Sequence, residues 1–113
     1  MAEPRLASGI WVSAYLARLR AAAIPAYLAR RGDATAGAVM VKLATLDGQA
    51  KAFVRRWDFA TDSRHWEILA EGEEALVDAA LAREGSRDPD LWVIEVEDRD
   101  GRTLLDEEGL SQS

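Results

Sequence analysis

The chain has 113 residues, 49% hydrophobic and 30% charged, with no cysteine and a formal net charge of −6. This length and composition predict one globular domain with a single core. Without cysteine, a disulfide framework, a thiol nucleophile and cysteine-type zinc sites are excluded. The longest apolar run, 21–28, is far shorter than the roughly 20 residues of a membrane-spanning helix, and the first residues lack a signal-peptide pattern. We therefore expect a cytoplasmic protein with no membrane partner.

The charge is unevenly distributed along the chain. Residues 1–66 carry ten basic and five acidic side chains, whereas residues 67–113 carry four basic and fifteen acidic ones. Binding to a nucleic-acid backbone needs clustered basic groups that are free of neighbouring carboxylates. A compact fold places many of these carboxylates within a Debye length, roughly 10 Å, of the basic half. We therefore expect no nucleic-acid partner, and a protein partner or a homodimer instead.

The first predicted element is a helix that begins at Ser8, whose hydroxyl is expected to cap the first turn. An apolar stripe at helical spacing follows, made of Val12, Leu16, Leu19 and Ala23. Pro25 ends the pattern. The next segment, 26–31, is compatible with either a continued helix or a strand.

The middle of the chain predicts consecutive antiparallel strands. Val39, Val41 and Leu43 alternate with their neighbours, which is typical of a strand, and Asp47-Gly48 is a strong hairpin signal. The return strand covers 49–57, a loop covers 58–64, and a further strand covers 65–70.

A second helix is predicted over 71–85, with Gly85 as its left-handed C-terminal cap. After a break at 88–90, Trp92, Ile94 and Val96 alternate in a strand, and 102–105 predict a short returning strand. The prediction is a single α+β domain: a mostly antiparallel sheet of five or six strands with two helices packed on one of its faces.

The predicted domain covers 1–113, with an ordered core over about 8–106 and a frayed tail over 107–113, which is polar and lacks periodicity. Trp11 and Tyr15 are expected to pack in the core. The other predicted core residues are Leu16, Leu19, Val41, Leu43, Val54, Ile68, Leu76, Leu81, Trp92, Ile94 and Val96.

Three segments together resemble a known family. They are GIWVSAYLARL near the start, RRGDATAGAVMVK in the middle and DPDLWVIEVEDRDGRTLLD near the end. The chain is similar over residues 9–106 to the domain-of-unknown-function family 1491, found mainly in alphaproteobacteria. The resemblance implies an α+β domain of about this length and a strand at Ala26–Arg31. It implies no activity, cofactor or catalytic residue.

One candidate interaction surface consists of two arginine pairs and a tryptophan at predicted strand ends: Arg30, Arg31, Arg55, Arg56 and Trp57. Neighbouring residues in a strand point to opposite faces, so each pair offers one guanidinium to a given face. If guanidinium groups from both pairs lie on the same face of the sheet, they would form an anion-binding patch. Salt bridges to the acidic C-terminal half are the alternative, and an exposed Trp57 beside arginine is typical of a protein interface.

The sequence offers little for catalysis. His65 is the single histidine and is expected at the surface, without a metal or a catalytic triad. We expect no cofactor. The main hypothesis is an uncharacterised, non-catalytic protein-interaction or adaptor module. The alternative is a small enzyme or ligand-binding domain that uses the carboxylates of Asp98 and Asp100 together with arginine.

Overall fold

The computed structural model describes residues 7–58, 60–107 and 110, and for 56–58 it describes the backbone alone. The elements in chain order are α1 (Ser8–Ala21), β1 (Ala26–Arg30), β2 (Val39–Ala44), β3 (Gln49–Asp58), β4 (Ser63–Glu73), α2 (Glu74–Arg87) and β5 (Trp92–Glu97). Neither described helix is long and apolar enough to span a bilayer.

The five strands form one sheet in the order β1-β5-β2-β3-β4. All neighbours are antiparallel except β2 and β5, which run parallel, and β5 lies between β1 and β2. The predicted α+β class, the two helices, the β2–β3 hairpin and a strand at 26–30 are confirmed. The returning strand predicted at 102–105 does not form, and Leu104 adopts a positive φ of 62° that ends extended structure there.

The helices cover opposite faces of the sheet, so the prediction of both on one face is wrong. Residues of α1 pack with Val41 and Ile94 on the first face, while Val77 of α2 packs with Met40 and Val93 on the second. Neighbouring strand residues point to opposite faces, so β2 is buried along its whole length. The fold therefore has two apolar layers, one on each side of the sheet.

The start of α1 is fixed by a loop rather than by a side-chain cap. Ser8 is the first helical residue and is buried; its hydroxyl donates to the Gly37 carbonyl oxygen at 2.6 Å, so the predicted capping role is wrong. The amides of Ser8 and Gly9 donate to the carbonyls of Thr35 and Ala34. The loop thus satisfies the free amides of the first turn.

The end of α1 is a Schellman motif. The Ile24 amide donates to the Leu19 carbonyl at 2.9 Å and the Ala23 amide to the Arg20 carbonyl at 3.0 Å. The helix ends at Ala21, earlier than Pro25 predicts, and Ala23 takes a left-handed φ of 59° instead of joining the apolar stripe. Ile24 is buried beyond the turn.

Ala23→Gly is expected to stabilise the protein by about 0.5–1 kcal/mol. Glycine adopts a positive φ without the steric cost that Cβ imposes on alanine. Urea unfolding of the two proteins would measure the gain. Ala14→Gly, in the exposed interior of α1, is the control and should lose about 1 kcal/mol; a loss at both positions would contradict the assignment of the motif.

The boundary between β4 and α2 differs from the prediction. The strand continues through Glu73, and α2 begins at Glu74 and extends through Arg87. Gly85 therefore lies inside the helix instead of capping it. Its carbonyl accepts a hydrogen bond from Arg30 Nη1 at 2.8 Å, and a Cβ at this position would collide with the same guanidinium. Gly85 is therefore a helical residue beside Arg30 and not a left-handed cap.

Most of the predicted core is confirmed. Trp11 and Tyr15 are buried, with ring centroids 4.9 Å apart. The confirmed buried residues are Leu19, Val41, Leu43, Val54, Trp92, Ile94 and Val96. Leu16 and Leu81 are partly buried at the edges of the two layers. Ile68 and Leu76 are exposed, so their prediction is wrong: Ile68 borders an open groove, and Leu76 lies on α2 beside, not on, the buried stripe of Val77 and Ala80.

The C-terminal segment packs over the α1 face. Tyr15 Oη donates to the Thr103 carbonyl at 2.8 Å, and Trp66 Nε1 donates to the Leu110 carbonyl at 3.0 Å. Leu110 is 1% exposed, which differs from the frayed tail predicted over 107–113. Leu110 belongs to the same buried cluster as Trp11 and Tyr15, and the polar residues around it in the sequence hide its burial from periodicity. Residues 108, 109 and 111–113 lie outside the described residues.

Candidate functional site

An open groove of about 680 Å³ lies between strands β3 and β4 and the segment 101–106. Its apolar floor consists of Phe53, Trp66, Ile68, Leu104 and Leu105. Ile68 is 51% exposed, whereas its neighbours Phe53 and Trp66 are partly buried. The groove exists because α1 and the C-terminal segment cover only part of the sheet, and it exposes apolar surface typical of binding sites.

The groove runs beside an edge of the sheet. Among the described strands, β4 pairs with β3 on one side and with none on the other. The segment from Ser63 to Ile68 pairs with β3 without a bulge, whereas the opposite edge, β1, has five residues and a register shift between Leu28 and Arg30. Short, irregular edges resist further pairing, and long regular ones accept it. The first half of β4 is thus the edge better suited to a further strand.

A buried arginine lies next to this groove. Arg55 is 6% exposed, and its Cζ lies 4.9 Å from the centroid of the Trp11 ring. Nη1 and Nη2 are buried and make no hydrogen bond with the described residues. Burial, and then the positive charge of Arg64, lower the pKa of Arg55 to about 10, so the group remains a cation at neutral pH.

The indole of Trp11 adds a second unpartnered donor. Its Nε1 is buried and has no acceptor in the described part of the chain. Trp66 connects the pair to the groove: it lies across from Arg55 in the β3–β4 register, its ring centroid is 5.4 Å from that of Trp11, and it lines the groove. Donor atoms without acceptors are costly inside a protein.

The predicted arginine surface is distributed over distant parts of the sheet. Arg30 donates to the carbonyl of Gly85 at the end of α2, and the Arg31 guanidinium lies 5.9 Å from the Trp92 ring centroid. Both belong to the β1 edge, while Arg55 is on β3, three strands away. The side chains of Arg56 and Trp57 lie outside the described residues; their backbones pair with His65 and Arg64.

Asp98 has a structural role in the turn after β5. Its Oδ2 accepts hydrogen bonds from the Arg102 amide at 2.6 Å and Nε at 3.0 Å, and Oδ1 accepts from Nη2 at 3.0 Å. These bonds lower the pKa of Asp98 below its usual value and raise that of Arg102. A general acid at neutral pH needs the opposite shift, and Asp100 is exposed in the same turn. The geometry therefore does not pair Asp98 with Asp100 for acid–base chemistry.

His65 belongs to a hydroxyl cluster at the β3–β4 turn. Its Nε2 lies 2.8 Å from Thr61 Oγ1 and 2.9 Å from Ser63 Oγ, and the two hydroxyls lie 2.9 Å apart. Two hydroxyls share one ring nitrogen, which is a turn-closing arrangement rather than a directed nucleophile–base pair. No group of three metal-ligating side chains occurs among residues 7–58, 60–107 and 110.

The other charged cluster lies on the opposite face. Lys42 is buried in β2, and its Nζ lies 2.7 Å from Glu74 Oε2, 2.6 Å from Asp78 Oδ1 and 3.4 Å from Glu95 Oε1. Burial lowers the pKa of Lys42, but the hydrogen bonds and charges of the carboxylates outweigh it and raise the pKa above its ordinary value. This lysine is a fixed cation that joins the sheet to α2, not a nucleophile.

Sequence reasoning missed the burial of Arg55 and Lys42 and the groove itself. Both basic residues lie in alternating strand segments, where a charged side chain normally indicates a solvated face. Trp11 and Leu110, far apart in the chain, are what close the space around Arg55 and Trp66. The sequence signal that could have indicated the groove is the pair Leu104-Leu105, because apolar residues beyond the last strand are expected to pack against another part of the protein.

Known proteins similar to this chain share its fold. The family model described as "Protein of unknown function (DUF1491)" matches residues 6–106. A crystal structure of a DUF1491 family protein from Caulobacter crescentus is 39% identical, covers 90% of this chain and 94% of its own, and has a TM-score of 0.78. An NMR structure of a DUF1491 family protein from the same organism is 38% identical, with coverages of 93% and 96% and a TM-score of 0.81.

A solution structure of protein Atu0922 from A. tumefaciens is 34% identical, covers 83% of this chain and 86% of its own, and has a TM-score of 0.70. No curated protein matches the chain. The predicted resemblance is therefore confirmed over nearly the whole length. The chain belongs to the DUF1491 family of proteins of unknown function.

Proposed function

We propose that the chain is a non-catalytic protein-interaction module of the bacterial cytoplasm, which binds an extended segment of a partner protein along β4. The observation that carries the proposal is the position of β4 at the end of the described strand order, with the apolar groove beside its first half. An added strand gains affinity from main-chain hydrogen bonds and specificity from alternate side chains that enter pockets. The partner segment is therefore a strand with apolar residues at every second position.

The groove supports this occupant better than a small polar substrate. Its floor is made of aromatic and leucine or isoleucine side chains, and Arg102, at its rim, is held by Asp98. Buried aromatic anchors carry much of the energy in protein interfaces. A nucleic acid is a poor fit to the same surface because the net charge is −6.

A peptide-display library of random 12-residue segments tests the proposal, with binding of selected peptides measured by fluorescence anisotropy. Ile68→Glu is expected to weaken binding at least about tenfold, since a carboxylate in an apolar groove is desolvated without a partner. Leu76→Glu is the matched control: Leu76 is 64% exposed on α2, on the opposite face, and should leave affinity unchanged.

Equal binding by wild type and the Ile68 variant would contradict the proposal. Sedimentation of the protein alone addresses the other occupant, a second copy of the chain. A dimer that Ile68→Glu dissociates would assign the edge to self-association and overturn the partner-segment proposal. A gel shift with duplex DNA or single-stranded RNA at about 50 mM salt, where such binding is strongest, would also contradict it.

A further inference from the structure

We propose that Arg55 and Trp11 form a binding site for a small oxyanion, a carboxylate or a phosphate, enclosed between α1 and β3. The site is independent of the strand-binding function proposed for β4. Three buried donor atoms carry the inference: Nη1 and Nη2 of Arg55 and Nε1 of Trp11, none of which has an acceptor among the described residues.

All three atoms belong to groups that donate hydrogen bonds and cannot accept them. A ligand that satisfies them must therefore bring acceptors, and a cation is excluded by the charge of Arg55. A carboxylate or phosphate offers two or more oxygens to the planar fork of a guanidinium, which is the geometry that arginine recognises.

The surroundings of Arg55 hold its guanidinium in place for such a ligand. Its Cζ lies 4.9 Å from the Trp11 ring centroid, so cation–π contact fixes the group without using its hydrogen bonds. The Trp11 ring stacks on Tyr15, whose hydroxyl is anchored to the Thr103 carbonyl. The donors are thus preorganised, and an isolated buried cation is the kind of charge that proteins pair or neutralise.

Among the described residues, the Arg55 guanidinium contacts the Trp11 ring, and its Nη1 and Nη2 have no acceptor. By contrast, Arg102 binds the carboxylate of Asp98, and Arg30 donates to the carbonyl of Gly85. A leucine or methionine at position 55 would fill the same layer without a desolvated charge. A buried cation whose Nη atoms have no acceptor among the described residues, in a layer that also contains Trp66 and Leu110, points to a bound anion.

Thermal unfolding in acetate, in phosphate and in chloride at equal ionic strength tests the site and distinguishes its two ligand chemistries. Wild type should melt about 5 °C higher in the preferred oxyanion than in chloride once the anion reaches tenfold excess over its dissociation constant. Arg55→Met should melt no lower than wild type in chloride and lose the oxyanion effect. Arg20→Met, an exposed arginine on α1, is the control and should keep it.

A second measurement follows the Trp11 indole Nε1–H directly by NMR and does not depend on the stability of the arginine variant. Its signal, assigned by its absence in Trp11→Phe, should move downfield on titration with the same oxyanion, while that of Trp92, already bonded to the Asp33 carbonyl at 2.7 Å, should not. Trp11→Phe keeps an aromatic ring beside Arg55 and should bind the anion several-fold more weakly. Equal melting in all three anions together with an unmoved Trp11 signal would overturn the proposal.

Discussion

Replacing Leu110 with alanine is expected to lower the free energy of unfolding by about 3 kcal/mol. Leu110 is 1% exposed and packs in the α1 layer, although it lies in a polar segment near the end of the chain. Truncation of a buried leucine loses its transfer free energy and leaves a cavity. Removing residues 107–113 entirely should cost at least as much, because the hydrogen bond from Trp66 Nε1 to the Leu110 carbonyl goes too.

Urea unfolding followed by tryptophan fluorescence measures the loss. Leu76→Ala is the matched control, since this leucine is 64% exposed on α2 and should change stability by no more than about 0.5 kcal/mol. If Leu110→Ala were as neutral as the control, the tail would be dispensable, as its sequence suggests, and the C-terminal cover of the α1 face would be wrong.

Lys42→Ala should destabilise the protein by about 3 kcal/mol. The substitution removes a buried stem from the centre of β2 and leaves the carboxylates of Glu74, Asp78 and Glu95 facing one another without their cation. Because Glu74 and Asp78 are half exposed, water relieves part of that repulsion and the effect stays at the low end of the range for a broken buried pair. Lys51→Ala, which breaks an exposed 3.8 Å pair with Glu71, should cost about 0–1 kcal/mol.

The pH dependence of the Lys42 effect has a definite sign. The folded-state pKa of Lys42 is raised, so its contribution is fully present below the unfolded pKa of 10.5 and is lost only as the pH rises through the higher folded value. The stability difference between wild type and Lys42→Ala should therefore be the same at pH 7 and pH 9.5. A difference that shrinks over this interval would show that the carboxylates do not hold the lysine charged.

Local sequence patterns predicted the features of the fold that neighbouring residues determine, namely turns and the faces of strands. Asp47-Gly48 predicted the β2–β3 turn, where Gly48 takes a φ of 88°, and alternation predicted the face of β5 that carries Ile94. The β4–α2 boundary could not be predicted, because Glu71 and Glu73 suit an exposed strand edge and the first turn of a helix equally well. Glu71 and Glu73, which the prediction placed at the start of α2, belong to the strand, and Glu74 is the first residue of the helix.

The placement of the helices needed information from distant parts of the chain. Lys42 alternates with Val41 and Leu43, a pattern that predicts one solvated face. The second face is covered because α2 brings Glu74 and Asp78 over Lys42. Lys42 is therefore buried although its sequence pattern is that of a solvent-exposed face. Arg55 is a second case. It is a charged residue in the alternating strand β3, and its burial depends on Trp11, which lies more than forty positions earlier in the chain. Neither contact leaves a trace in local periodicity.

Amide hydrogen exchange of β4 in the presence of a selected 12-residue peptide tests the central claim most directly. A strand that joins this edge must form main-chain hydrogen bonds along 63–68, so amide exchange in this segment should slow at least about tenfold on binding, while exchange at β1 stays unchanged. Slowed exchange confined to β1 or α2, with β4 amides unaffected at saturating peptide, would show that the partner binds elsewhere and would contradict the account.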